Sequence, residues 1–233
     1  MLFVPNHGPL HSSLCEVKEK RRYFNGRKDR KARYRETHFA EFKQNIDAIV
    51  AKAWNDKFLA SNAVFRCVVI DWSVYQARFF GGPFDPEALK KRRAYKKWAE
   101  MLLQPETAQM KDARLFLDRL RLMYGYDILD HLRDRFTHRY LGNHPRIASF
   151  EPVDSWKDAH QCLQLCDLLT GAVYRKLVPP TRAIKREVVD YLYPALIPHG
   201  VRQREPSYWK QYADANLADH FPRFSEWYWR PKK

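Results

Sequence analysis

Three aspartates hold positions from which carboxylates can do metal chemistry. Asp71 closes the β-branched run VFRCVVID (residues 64–71), Asp118 closes ARLFLD (113–118), and Asp167 lies within LQLCDLLTGAV. Carboxylates at strand C-termini in an α/β layer project into the crevice where ligands bind. Several acidic oxygens meeting there make a hard, anionic site suited to Mg2+ or Mn2+. Such an ion acidifies a bound water, orients it and offsets charge on the leaving oxygen of a phosphodiester. Taken singly, an Asp at a strand end is more often a helix cap or turn former.

Asp167 has the most informative surroundings. Leucines stand on both sides, so its carboxylate needs a partner to avoid a large desolvation cost. Gln164 precedes it on the same helical face and Gly171 follows on that face. A glycine inside a helix costs about 1 kcal/mol relative to alanine, so Gly171 should answer to packing or a close approach. The competing reading places Asp167 on the wet side of an amphipathic helix.

The elements that must position these groups follow from periodicity. Phe42, Ile46, Ile49, Val50 and Ala53 recur at helical spacing and predict a helix from Glu41 to Asn55. VFRCVVID reads as a buried central strand and ARLFLD as a second strand. Between them, GGPFDP (81–86) is a loop and EALKKRRAYKKWAEMLL a basic helix, with Trp98 assigned to the core. A helix is expected over 125–140, an extended segment over 146–155, a helix from about His160 to Leu177, and another between Thr181 and Leu192. Strands alternating with helices define an α/β chain. The organisation expected is a basic segment (1–35), a main domain (36–200) and an aromatic, basic tail (201–233) packed on that domain.

Formal net charge is +15 and aromatic residues make up 15% of the chain. That excess suits a polyanionic partner, nucleic acid being the commonest. Two basic stretches are the candidate phosphate contacts. Arg21, Arg22, Arg27, Lys28, Arg30 and Lys31 have Tyr23, Phe24 and Tyr34 among them; Lys90, Lys91, Arg92, Arg93, Lys96 and Lys97 surround Tyr95. The first stretch can equally be a solvated loop, and it could contact phosphates without fixed structure. No run reaches the ~18 apolar residues of a membrane helix, and the opening MLFVPNHGPLHSS has no signal-peptide pattern. Four scattered cysteines do not make a disulfide framework, and a reducing, cytoplasmic setting is expected. Cys162 and Cys166 with His160 lack structural zinc spacing and read as core.

FEPVDSWKDAHQCLQLCDLLTGAVYRKL resembles the closing motif of domain-of-unknown-function family 3800: Asp-Ser, a spacer, then Gln-x-x-Asp-Leu-x-x-Gly. Here these are Asp154, Ser155, Gln164, Asp167, Leu168 and Gly171. RETHFAEF supplies the family's Glu-x-His-aromatic element as Glu36, His38 and Phe39, with Asp71 and Asp118 in the expected order between. The resemblance implies an RNase H-like mixed sheet flanked by helices and metal-dependent nuclease activity, in proteins of mobile-element, phage or defence settings. It implies Asp71, Asp118, Asp167 and Glu36 as catalytic metal ligands for Mg2+ or Mn2+. His38, Asp154, Ser155 and Gln164 would be supporting or substrate contacts. The family opens on a strand ending in Asp-Glu-Ser-Gly, and this sequence has no such element. The expectation is a missing N-terminal strand, lying upstream or supplied by a partner or second copy. Otherwise the chain is an inactive nucleic-acid-binding subunit.

Overall fold

The computed structural model describes residues 2–26, 32–70, 80–107, 113–118, 130–134, 147–196 and 224–229. In chain order these form β1 (Leu2–Phe3), α1 (His7–Lys20), α2 (Asn45–Ala60), β2 (Val64–Ile70), α3 (Glu87–Thr107), β3 (Ala113–Asp118), β4 (Ile147–Val153), α4 (Gln161–Leu177), α5 (Ala183–Leu196) and β5 (Phe224–Trp229). The chain is α/β. It divides into two compact units, Met1–Arg66 with Asp154–Val201 and Phe221–Ser225, and Cys67–Val153 with Arg202–His220 and Glu226–Lys233.

The first unit is a helical cluster. Helix α1 packs on α2 and α4, and α5 packs on α2 and α4. Its interior comes from stripes at helical spacing: Leu10, Leu14 and Val17 of α1, Val50, Trp54 and Phe58 of α2, Leu165, Leu168, Leu169 and Ala172 of α4, and Val188 and Leu192 of α5. The Trp54 indole donates to the Leu14 carbonyl at 3.0 Å, so this large ring is buried with its one donor satisfied. Helix α2 starts at Asn45 rather than at the expected Glu41. The reason is Asp47, whose carboxylate takes the amides of Lys43 (2.8 Å) and Gln44 (2.9 Å) and stops the helix there. Phe39–Glu41 forms a single 3-10 turn instead.

In the second unit β3 and β4 pair in parallel, Leu115 opposite Phe150 and Asp118 opposite Val153, with an irregularity between Ala113 and Arg114. Ala94, Trp98 and Leu103 form the buried side of α3. Of the helix expected over 125–140, residues 130–134 are helical and the rest lies outside the described residues.

The strands distribute over two sheets rather than one. One has the order β1-β2-β5, with β2 central as expected, and the other is the β3-β4 pair. The strands ending before Asp71 and at Asp118 therefore do not neighbour one another in a common sheet. Strand β5 comes from the aromatic tail, expected to pack on the domain; its aromatic run suits a pleated edge. No helix among the described residues is long and apolar enough to cross a membrane.

Candidate functional site

Helix α4 carries one polar face, and the extended segment 33–44 lies along it. The segment's first residues pair with the chain at Tyr23–Asn25 across the Phe24–Tyr34 bridge, and side chains from elsewhere hold much of the rest. The Asp158 carboxylate accepts the amides of Arg33 (2.8 Å) and Tyr34 (3.1 Å). The Arg35 carbonyl accepts from Lys18 Nζ at 2.7 Å, and the Thr37 amide donates to Gln164 Oε1 at 2.9 Å. The Phe39 amide donates to Asp167 Oδ2 at 3.2 Å, and the Ala40 and Phe42 carbonyls accept from Lys185 and Arg182. These bonds do the work a ladder would do, since a buried backbone needs its polar groups paired.

Gly171 shows the close approach that its place in a helix required. A Cβ there would meet Cγ of Phe39 at 2.7 Å and its Cβ at 2.8 Å. The phenyl ring therefore lies directly on the helix backbone, which brings the neighbouring His38 to Asp167.

His38 Nδ1 stands 2.8 Å from Asp167 Oδ2. A carboxylate can only accept, so Nδ1 carries the proton and donates. Among the described residues His38 Nε2 and Asp167 Oδ1 have no hydrogen-bond partner. The two side chains are 41% and 44% exposed, so the pair faces solvent on one side. The hydrogen bond to Asp167 raises the His38 pKa above its ordinary value; partial burial opposes this, and the charges of Asp167, Glu36 and Glu41 add to the rise. Both competing readings of Asp167 hold in part: it lies toward water, and it is partnered.

Beside the dyad, Ser155 Oγ donates to Glu36 Oε1 at 3.2 Å, and Gln164 Nε2 donates to the Ser155 carbonyl at 2.7 Å. Asp154 pairs with Lys157 at 2.9 Å. Behind this face lies a group the sequence did not announce as functional. Lys18 is fully buried, its ammonium bonded to the Arg35 carbonyl and, at 2.9 Å, to Gln164 Oε1, and set 4.7 Å from the Trp54 ring centroid. Burial pulls its pKa down to about 7, against the nearby charges of Cys15, Asp158 and Glu36. The signal that marks it is position: Leu10, Leu14, Val17 and Lys18 share the buried stripe of α1.

The first unit thus brings together Glu36, His38, Asp167, Ser155 and Gln164. Asp118 belongs to the second unit, at the exposed end of β3. Asp71 lies outside the described residues, as do Arg27, Lys28, Arg30 and Lys31. Arg21 and Arg22 are exposed beyond α1, and Lys90, Lys91, Arg92, Arg93, Lys96 and Lys97 ride on α3, with Arg93 paired to Asp85. Among the described residues no three His, Cys, Asp or Glu side chains are grouped as a metal site. None of the four cysteines forms a disulfide, Cys67 and Cys162 are buried as core residues, and burial lifts the Cys162 thiol to about 12.

In comparison with known proteins, no family model, no curated protein and no solved structure matches this chain.

Proposed function

We propose that this chain acts on nucleic acid as an RNase H-like nuclease, or as a protein derived from one, with its reacting centre at Asp167. The observation that carries the reading is the half-exposed Asp167–His38 pair, assembled from positions 129 residues apart next to Glu36. A charge of +15 supplies the attraction for a phosphate backbone. The donor chemistry suits a hard ion: Asp167 Oδ1 accepts no bond from any described residue. Magnesium holds most of its waters and takes only one or two carboxylates alongside substrate phosphate. Asp167 and Glu36 would hold Mg2+ or Mn2+, which supplies a more acidic water and offsets phosphate charge. His38, its ring fixed through Nδ1 by Asp167, presents Nε2 to whatever enters this face. Ser155 fixes Glu36 in turn.

A second reading, a catalytically inactive nucleic-acid-binding subunit, is favoured by one fact. Asp167 Oδ2 already serves His38 and the Phe39 amide, and the described residues group no third ligand. The deciding experiment incubates the full chain with single- and double-stranded DNA and RNA in Mg2+, Mn2+ or chelator. Cleavage that needs the metal and falls at least ~100-fold in Asp167→Asn supports the enzyme. Salt-sensitive binding without cleavage under either ion leaves the binding subunit.

A further inference from the structure

Past α1 the chain turns through Arg21 and Arg22, Arg22 in the left-handed region with φ 53°. Consecutive extended residues face opposite ways, and here they do different jobs. Tyr23 turns inward and its hydroxyl donates to Asp47 at 2.9 Å, while Phe24 turns outward and is 42% exposed. Phe24 bridges to Tyr34, and the two rings lie nearly parallel, 16° apart in plane with centroids 6.3 Å apart. Tyr34 is itself fixed: it is buried, and its hydroxyl donates to Glu19 at 2.8 Å. The Arg33 guanidinium lies 5.8 Å from the Phe24 centroid and 5.6 Å from that of Tyr34. Arg33 is neutralised by Glu19, but Arg21 and Arg22 carry no ion pair among the described residues.

We propose that Phe24, backed by Tyr34 and flanked by Arg21, Arg22 and Arg33, is a stacking site for a base of single-stranded nucleic acid. This rests on the nucleic-acid reading above and narrows its substrate class. A ring held against a second ring spends little entropy on binding, and every base offers a π-face to it. Bases inside a duplex have both faces covered by their neighbours, so only an unstacked base can lie on Phe24. The exposed Arg21 and Arg22, three and two positions before Phe24, meet the phosphates on either side of that base.

The test measures binding of the full chain to a short thymidine oligonucleotide, to an abasic strand of equal length and to the same thymidine strand in a duplex. Phe24→Ala should weaken the thymidine strand roughly 5- to 100-fold and leave the abasic strand unchanged. Phe24→Trp should bind as wild type, with its fluorescence quenched by the strand. Arg21→Ala with Arg22→Ala should weaken both single strands and flatten the salt dependence. Equal losses on thymidine and abasic strands, or a wild-type preference for duplex, overturn the stacking site and leave the nucleic-acid reading intact. Absence of binding to all three removes both.

Discussion

Lys18 and Gln164 stand 146 positions apart and meet in the interior of the first unit, ammonium to amide oxygen at 2.9 Å. Through this one contact α1, α4 and the extended segment share a hydrogen-bonded centre, because Gln164 Oε1 also takes the Thr37 amide and Lys18 also holds the Arg35 carbonyl.

Burial sets the Lys18 pKa at about 7, below its ordinary 10.5. Between those values the unfolded chain binds the extra proton, so stability rises with pH. Raised values act oppositely for His38, from its ordinary 6.5 upward, and for Cys15 and Cys162, only near and above their ordinary 9.0, so the Lys18 contribution is the difference in slope between wild type and Lys18→Met. The wild-type unfolding free energy from urea titrations should therefore climb from pH 7 to about 8.5, by at most ~1.4 kcal/mol per unit. In Lys18→Met the slope should flatten; an unchanged slope would show that Lys18 is charged throughout.

Gln164→Leu keeps the volume and removes every polar atom. It strands the Thr37 amide and the Ser155 carbonyl and takes one acceptor from the Lys18 ammonium. Each buried group left unpaired costs roughly 1–3 kcal/mol, so a loss of about 3–5 kcal/mol is expected on denaturation. A loss below ~1 kcal/mol would mean that water reaches these groups.

Gly171→Ala sets two effects against each other. Helix propensity favours alanine by ~1 kcal/mol, whereas overpacking costs ~1–3 kcal/mol. The contact reaches Cβ of Phe39 at 2.8 Å, and the Phe39 amide is tied to Asp167, so the ring cannot simply swing aside. Net destabilisation of about 1–2 kcal/mol should result, and in a Phe39→Gly background, which removes both the ring and its Cβ, the same change should become stabilising. Additive effects in the double-mutant cycle would contradict the contact.

Asn55 is fully buried on α2, and among the described residues neither of its side-chain polar atoms has a hydrogen-bond partner. Leucine fills similar space without that desolvation penalty. Asn55→Leu should raise stability by ~1 kcal/mol or more in thermal or urea unfolding. A marked loss would point to an unseen polar partner.

Much of this was readable from the residues alone. VFRCVVI and ARLFLD became strands, and the apolar stripe of 161–177 fixed α4 almost to the residue. Gly171 announced a close approach because helix propensity disfavours it. Trp98 took its place in the core. What periodicity could not carry was partnership at long range. Nothing local tells β2 that its sheet partners are Leu2–Phe3 and a strand from the tail, or separates β3 into another sheet. Lys18 looks like any helix cation until the surrounding stripe is drawn, and Asp47 ends a helix that the apolar spacing alone would extend to Glu41. The Asp167–His38 meeting spans 129 positions and has no local pattern to announce it.

The fastening of Arg33 to Phe39 has a kinetic consequence. The Arg35 amide meets the Tyr23 carbonyl across the local Phe24–Tyr34 bridge. The amides of Arg33, Tyr34, Thr37 and Phe39, however, reach acceptors 124 to 128 positions away in Asp158, Gln164 and Asp167, so no neighbouring turn can organise Thr37 and Phe39 early. Closing so large a loop is slow and goes unrewarded until the far helix has docked. Amide protection across Thr37 and Phe39 should then emerge in the same late step that seats α4, and a chain cut before Asp154 should leave those amides exchanging at coil rates.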